Sequence, residues 1–430
     1  MQGPPSDNAT ATPAARRGLV PRLLIANAVY LLAVQGWTVL VGPSGTDYQR
    51  LAGTGWDAAV FAALRAVFDT WTPGYHLVNL LLLWACMLAV FFVTRRVVGG
   101  APWLASLAAV LFMAHPLKRA TTLDLSGTGA LLAALLVLLG ALLVIQGARQ
   151  RGVRGGLVAV AGIAFALVPL FFTAGPALPA LAALVILALT VQPGALARLG
   201  VPLFGWVTLA ILLLNKPETA DWLGYLAPAF QVFYPVGLLP GTVGIYAAAP
   251  PLLAVAAGCT LLVGTALAWC VRSPVFTAAL WATAFSTAAA APGYDPAQML
   301  GGGAFLLPCA FGGMAVAALT GRVLQHPKWV RPAILYTTLL CVVLFALHTE
   351  AALRWWRATD HLATLQAAAA QTAPPDACLL LTPGLRHVDG APVHLQAALE
   401  AAPPWGPGRC TQVRDTVSLH AWETPFAATL

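Results

Sequence analysis

Long, continuous apolar runs that carry almost no charge constrain this chain more than any other feature. Of its 430 residues, 59% are hydrophobic and 9% are charged, whereas a soluble domain has roughly 25% charged residues. Lipid must therefore solvate most of the chain, and in lipid the backbone is satisfied only in helices or closed barrels. The runs are rich in Leu, Ala and Val and do not alternate with polar residues. We therefore predict an all-α polytopic membrane protein with about 11 transmembrane helices.

The breaks between the apolar runs set the predicted spans, with boundaries good to about ±4 residues. Further spans, and no cleavage site, follow the first run, so we expect it to be an uncleaved signal anchor. Outer loops are predicted at 43–74 and 215–241, and within the first the amphipathic segment Trp56–Phe68 predicts a helix on the membrane surface. The predicted spans are about Val20–Val41, Tyr75–Thr94, Pro102–His115, Gly129–Gln146, Gly156–Phe172, Pro176–Val191, Gly200–Leu214, Pro250–Val271, Phe276–Ala291, Ala304–Gly321 and Ala333–His348.

The distribution of charge predicts the orientation. Thirteen of the 23 basic residues, but one of the 15 acids, fall at alternate span ends, and such basic ends mark the cytoplasmic side. The N-terminus is then cytoplasmic and the C-terminus periplasmic, in a bacterial inner membrane, and the net charge of +8 reflects topology rather than a nucleic-acid partner. These basic residues are Arg16, Arg17, Arg22, Arg95, Arg96, Arg149, Arg151, Arg154, Arg198, Arg272, Arg322, Lys328 and Arg331.

Three regions follow from this topology. Residues 1–19 form a cytoplasmic tail, 20–349 the transmembrane domain, and 350–430 a small periplasmic α/β domain. Cys378 and Cys410 lie in that last region, where an oxidising compartment permits a disulfide, and two unpaired thiols are the alternative. The other five cysteines fall in apolar runs, where a thiol usually acts as a small hydrophobe.

Candidate site residues are polar groups at the predicted outer ends of the spans. Asp47 lies in the first outer loop, and Asp124 lies between two spans after Lys118 and Arg119. A carboxylate base beside basic groups suits chemistry on a phosphate-bearing substrate. His76 and His115 end consecutive spans, where capping of the helix ends is favoured over a metal pair that has no third ligand.

Residues 74–151 read GYHLVNLLLLWACMLAVFFVTRRVVGGAPWLASLAAVLFMAHPLKRATTLDLSGTGALLAALLVLLGALLVIQGARQR. This segment resembles the N-terminal core of the C-type membrane glycosyltransferases, in particular the protein O-mannosyltransferase-like and tetratricopeptide-linked group. That group shows a G-H-H-L-x-N-L-L-L-H run, a double-basic turn and a span ending A-L-H-P-L-H-x-E. The matching residues are Gly74, His76, Leu77, Asn79, Leu80, Leu81, Leu82, Arg95, Arg96, His115, Pro116, Leu117, Ser126 and Leu131.

The resemblance implies an enzyme that moves a sugar from a polyprenyl-phosphate-linked donor to a protein or glycan acceptor at the outer face. It implies Asp47 as the base. The residues themselves give Asp124 as a second candidate carboxylate, and they indicate no metal or other cofactor. Three basic residues would bind the donor phosphate, and three polar residues of the matching segment would line the site. These are Lys118, Arg119 and Arg50, and His76, Asn79 and His115.

Several acidic and basic positions of the family pattern are replaced in this chain. Thr46 stands beside Asp47 where members often carry a second acid, and Ala120 occupies the acid position after the His-Pro motif. Thr128-Gly129-Ala130 replaces an Arg-Lys-Asp stretch, and Phe172-Thr173 replaces a Lys-Glu pair. Two interpretations remain: a diverged site built on Asp47 and Asp124, or a non-catalytic scaffold on the same fold. A transporter is a further alternative, which the nearly charge-free spans and the lack of repeated halves disfavour.

Overall fold

The computed structural model describes residues 13–42, 47, 56–69, 71–99, 101–150, 153–171, 232–233, 250–271, 273–290, 305–372, 387–388 and 391–392. Several predictions lie outside the described residues: the spans Pro176–Val191 and Gly200–Leu214, most of the loop 215–241, Arg50, Cys378, Cys410, and most of the predicted C-terminal domain.

Within those ranges the fold is almost entirely helical, so the expectation of an all-α architecture is confirmed there. The two strands are two residues long each, β1 (His387–Val388) and β2 (Ala391–Pro392), and they pair antiparallel. The α-helices are α1 (Pro13–Gln35), α2 (Trp56–Phe68), α3 (Thr72–Val97), α4 (Pro102–Ala114), α5 (Arg119–Leu123), α6 (Thr128–Arg149), α7 (Val153–Leu167), α8 (Pro250–Val271), α9 (Pro274–Ala290), α10 (Leu306–Val323) and α11 (Val330–Thr372). Short 3-10 helices cover Gly36–Leu40, Pro116–Lys118, Leu125–Gly127, Val168–Phe171 and Pro327–Trp329.

Five helical segments among the described residues are long and apolar enough to cross a membrane, as expected for a multi-pass membrane protein. Large apolar side chains on α1 and α11 are more than half exposed, which suits a surface that faces lipid. The five segments are Gly18–Leu40, Thr72–Val97, Thr128–Arg149, Leu306–Val323 and Pro327–Asp360. The exposed side chains include Ile25, Val29, Leu32, Leu335, Leu339 and Val342.

Helix α4 lies at the centre of the bundle. It packs against α1, α3 and α10, and nine of its 13 residues are buried. Phe112 and Met113 on α4, Phe91 on α3 and Phe311 on α10 are fully buried in one continuous apolar core. Because α4 is surrounded in this way, the segment that follows it begins inside the bundle.

Helices α6 and α7 form a hairpin that depends on glycine. A Cβ on Gly140 of α6 would lie 2.6 Å from the backbone oxygen of Gly162 on α7. A Cβ on Gly147 would lie 2.6 Å from the backbone oxygen of Gly155. Small residues at such a crossing let two backbones approach closely, as is common between helices in lipid.

Helix α11 is longer than the predicted last span. It runs without a break past residue 349 to Thr372, so the first part of the predicted C-terminal region continues this helix. The ion pair between Glu350 and Arg354, one turn apart, lies in this continuation. The C-terminal α/β domain stays a prediction, since little of the chain beyond Thr372 is described.

Candidate functional site

A buried connection links α4 to α6. We call residues 115–127 the connecting segment; it consists of the turn Pro116–Lys118, the short helix α5 and the turn Leu125–Gly127. A connection between spans is usually exposed to water. Here, in contrast, most side chains are buried, including those of Lys118, Thr122 and Asp124.

The local sequence explains where this segment turns. His115 precedes a proline and is extended, with a ψ of 120°, which ends α4. Its Nδ1 accepts a 3.2 Å hydrogen bond from the backbone N–H of Leu117 and so starts the next turn. At the other end, a Cβ on Gly127 would lie 1.8 Å from the backbone oxygen of Thr121, an approach that only glycine permits.

Two polar residues on the first turns of α3 fix the segment in place. His76 is fully buried, its Nε2 donates to the backbone oxygen of Val41 at 2.9 Å, and its ring lies beside the backbone of Thr122. Asn79, one turn later, donates through Nδ2 to the backbone oxygen of Asp124 at 3.0 Å. Both residues therefore bond α3 to neighbouring backbone, and in this way they help to position the connecting segment.

The two candidate carboxylates are both buried. Asp47 is 1% exposed and Asp124 is 3% exposed. Asp47 lies within electrostatic range of His76, and the backbone of Asp124 is bonded to Asn79. The start of α3 thus brings the first outer loop and the connecting segment together.

Lys118 is the most unusual residue of the segment. Its side chain is fully buried, and its Nζ lies 5.2 Å from the centre of the Phe112 ring. Within the described part of the chain, Nζ has no hydrogen-bond partner. Burial lowers the pKa of Lys118 to about 8, so the ammonium form still predominates at neutral pH.

His115 is held as a neutral imidazole beside Lys118. Its Nε2 donates to the backbone oxygen of Val232 at 3.0 Å while Nδ1 accepts from Leu117, which fixes the tautomer. A metal site built on His76 and His115 would need a third ligand. Among the residues described, no group of three or more metal-binding side chains occurs.

A third basic residue, which we did not identify from the sequence, faces this segment from α11. His348 is fully buried and lies within electrostatic range of both Lys118 and Arg119. Neither of its ring nitrogens has a hydrogen-bond partner in the described ranges. We call Lys118, Arg119 and His348 the basic cluster. The only sequence signal was the position of His348 at the predicted outer end of the last span.

An apolar groove lies beside the same helix. Its volume is about 600 Å³, and it lies between α8, α9, α10 and α11. Phe233 and Val316 line both this groove and a much smaller cavity, of about 20 Å³, which reaches His115 and Leu344. Leu344 is one turn before His348 on α11, so apolar space approaches the basic cluster along this helix.

The structure therefore brings seven of the eight predicted site residues to the connecting segment and the start of α3; the eighth, Arg50, lies outside the described residues. The seven are Asp47, His76, Asn79, His115, Lys118, Arg119 and Asp124.

Comparison of the chain with protein-family models, with curated proteins and with solved structures finds no match in any of the three.

Proposed function

We propose that the chain is a C-type glycosyltransferase of a bacterial inner membrane that uses a polyprenyl-phosphate-linked sugar at the periplasmic face. The observation that carries this proposal is the burial of Asp47, Asp124 and Lys118 around one connecting segment, each at most 3% exposed. Solvated loop charges would be exposed instead. Ionisable groups buried in a membrane protein are costly and usually functional.

In the proposed reaction, the acceptor hydroxyl attacks the anomeric carbon of the donor and forms a new glycosidic bond. The bond from that carbon to the phosphate oxygen breaks, and polyprenyl phosphate leaves with its electron pair. Asp47 takes the proton of the acceptor hydroxyl as general base. Lys118 and Arg119 stabilise the negative charge on the leaving phosphate, a role we also assign to Arg50.

The proposed topology has about 11 spans, a cytoplasmic N-terminus and a periplasmic C-terminus, and the ends of α3 and α6 support its orientation. Arg95 and Arg96 lie in the last turn of α3, whereas His76 and Asn79 lie near its start. Arg149, in the last turn of α6, donates a hydrogen bond to the backbone oxygen of Arg96, so these basic residues share one end of the bundle. The candidate site lies at the opposite end, which the positive-inside rule assigns to the periplasm.

A second candidate function is a non-catalytic membrane scaffold on the same fold. The observation that favours it is the use of His76, Asn79 and His115 in bonds to backbone oxygens. Residues bonded in this way stabilise a fold whether or not the protein is an enzyme. Thr46, Ala120 and Phe172 stand where members of the C-type group that the chain resembles carry charged groups, and this favours the scaffold as well.

Sugar transfer from a polyprenyl-phosphate mannose donor in purified membranes distinguishes the two candidates. Asp47→Asn removes the base while keeping the shape, and we expect a loss of about 100-fold or more in transfer rate. Asp69→Asn is the matched control, because Asp69 is exposed and has a φ of 47°, which asparagine also adopts. Folded parent that transfers no sugar from any of several donors would favour the scaffold. Equal rates for parent and Asp47→Asn would refute the role of Asp47.

A further inference from the structure

The basic cluster joins parts of the chain that are far apart in sequence. Lys118 and Arg119 belong to the connecting segment, and His348 belongs to the last long helix, α11. Lys118 and His348 are both 0% exposed, and His348 is within electrostatic range of both other members. Three basic side chains this close repel one another when protonated, so an anion among them would stabilise the arrangement.

Two members of the cluster have unused hydrogen-bonding groups. The Nζ of Lys118 and both ring nitrogens of His348 are buried, and none has a hydrogen-bond partner in the part of the chain that the structure describes. Leaving such polar groups unsatisfied in the interior is costly. Phosphate oxygens accept charge-assisted hydrogen bonds from lysine, arginine and histidine, so they match this set of donors.

We propose that Lys118, Arg119 and His348 form one buried site for the phosphate group of a lipid, to which α11 contributes His348. This proposal rests on the proposed function, because the lipid belongs to the same class as the polyprenyl-phosphate donor of that reaction. It adds His348, which is distant from Lys118 and Arg119 in the sequence, as a binding residue. The site would bind both the phosphate of the lipid-linked donor and the lipid phosphate that the reaction releases.

The groove beside α11 is the reason to assign the phosphate to a lipid rather than to free phosphate. Tyr336 lines the groove, and Leu340 and Leu344 line the small cavity that adjoins it. Residues four apart lie on one face of a helix, so Tyr336, Leu340, Leu344 and His348 form a stripe. The stripe rises about 18 Å over three turns. An isoprenoid chain in the groove and a phosphate at the cluster would thus follow one face of α11.

The test measures binding to the purified full chain in detergent micelles, by native mass spectrometry and by thermal shift. The probes are farnesyl phosphate, farnesol, which has the same chain without phosphate, and sodium phosphate. We expect saturable stabilisation by farnesyl phosphate, with farnesol and sodium phosphate each at least tenfold weaker. Equal stabilisation by sodium phosphate would overturn the assignment to a lipid, and no stabilisation by farnesyl phosphate would overturn the site.

Variants of His348 test its part in binding. His348→Gln should weaken farnesyl phosphate binding about tenfold, the effect of losing one charge-assisted hydrogen bond. His348→Lys, which restores a positively charged donor, should recover most of the affinity, and its folding would show that substitution here is tolerated. His326→Gln is the matched control, because His326 is exposed beside the turn Pro327–Trp329. Parent-like affinity in His348→Gln would overturn the proposal.

The binding and transfer experiments fail separately. If farnesyl phosphate binds in a manner that depends on His348 but no sugar is transferred, the lipid phosphate site stands and the glycosyltransferase proposal falls. If sugar is transferred and His348→Gln leaves the KM for the lipid donor unchanged, the enzyme stands and the present inference falls.

Discussion

The hydroxyl of Thr128 donates a 2.6 Å hydrogen bond to the side-chain oxygen of Asn79, so the starts of α3 and α6 are joined directly. The side-chain nitrogen of Asn79 is also used, since it donates to the backbone oxygens of Asp124 and Leu125. One buried amide therefore holds the end of the connecting segment against both helices.

Asn79→Ala should destabilise the protein by about 2–4 kcal/mol, because it leaves backbone oxygens and a hydroxyl unsatisfied in the interior. Thr128→Val should cost less, since it removes one bond. Unfolding by SDS in mixed micelles gives the free energies, and the double variant gives the coupling between the two residues. A coupling near zero would mean that the Thr128–Asn79 bond contributes nothing to stability.

The helices themselves were predictable from local sequence. The predicted span Pro250–Val271 has the same bounds as α8, and Trp56–Phe68 is the same as α2. Apolar runs determine where a chain can cross a membrane, and prolines and basic residues mark where a run stops. No tertiary information is needed for either.

The environment of the site was not predictable in the same way. Lys118 and Asp124 lie between two spans, and charges in that position are normally solvated. They are buried because the central position of α4 places the following segment inside the bundle, which local sequence does not express. His348 lies near Lys118 only in space. The sequence places each of the two residues at or near the outer end of a predicted span but carries no signal that pairs them.

Lys118→Met should make the protein more stable and unable to bind lipid phosphate. The ammonium is buried, and its pKa falls from 10.5 to about 8 because of that burial. The shift corresponds to about 3 kcal/mol of unfavourable energy for the charged form, which methionine does not incur. SDS unfolding at pH 7 measures the stability, and the farnesyl phosphate assay measures the binding.

The sign of this effect can be checked with pH. Between about pH 8 and 10.5 the unfolded chain binds the proton of Lys118 more tightly than the folded chain does, so parent stability should rise with pH across this window. Lys118→Met should lack that component. Lys328→Met is the control: Lys328 is exposed beside the Trp329 ring, and the change should be within about 1 kcal/mol. If Lys118→Met is less stable than the parent, the prediction is wrong, because interactions in the folded protein then compensate for the burial of the ammonium.

Gly140→Leu should separate α6 from α7. A Cβ at Gly140 would already lie 2.6 Å from the backbone oxygen of Gly162 and 2.9 Å from the Cβ of Ala166, and neither backbone can retreat without moving a whole helix. The cost should be at least about 2 kcal/mol, at the upper part of the range for overpacking. SDS unfolding measures it.

Gly156→Leu is the matched control on the same hairpin. Gly156 is an exposed glycine of α7, and a Cβ there would meet nothing within 4 Å. Leucine stabilises a helix by roughly 0.5–1 kcal/mol relative to glycine, so this variant should be as stable as the parent or slightly more stable. Equal destabilisation by both substitutions would show that leucine at any glycine of the hairpin is harmful. A loss confined to Gly140→Leu would instead locate the cost at the α6–α7 contact, because the two substitutions differ only in what the new side chain meets.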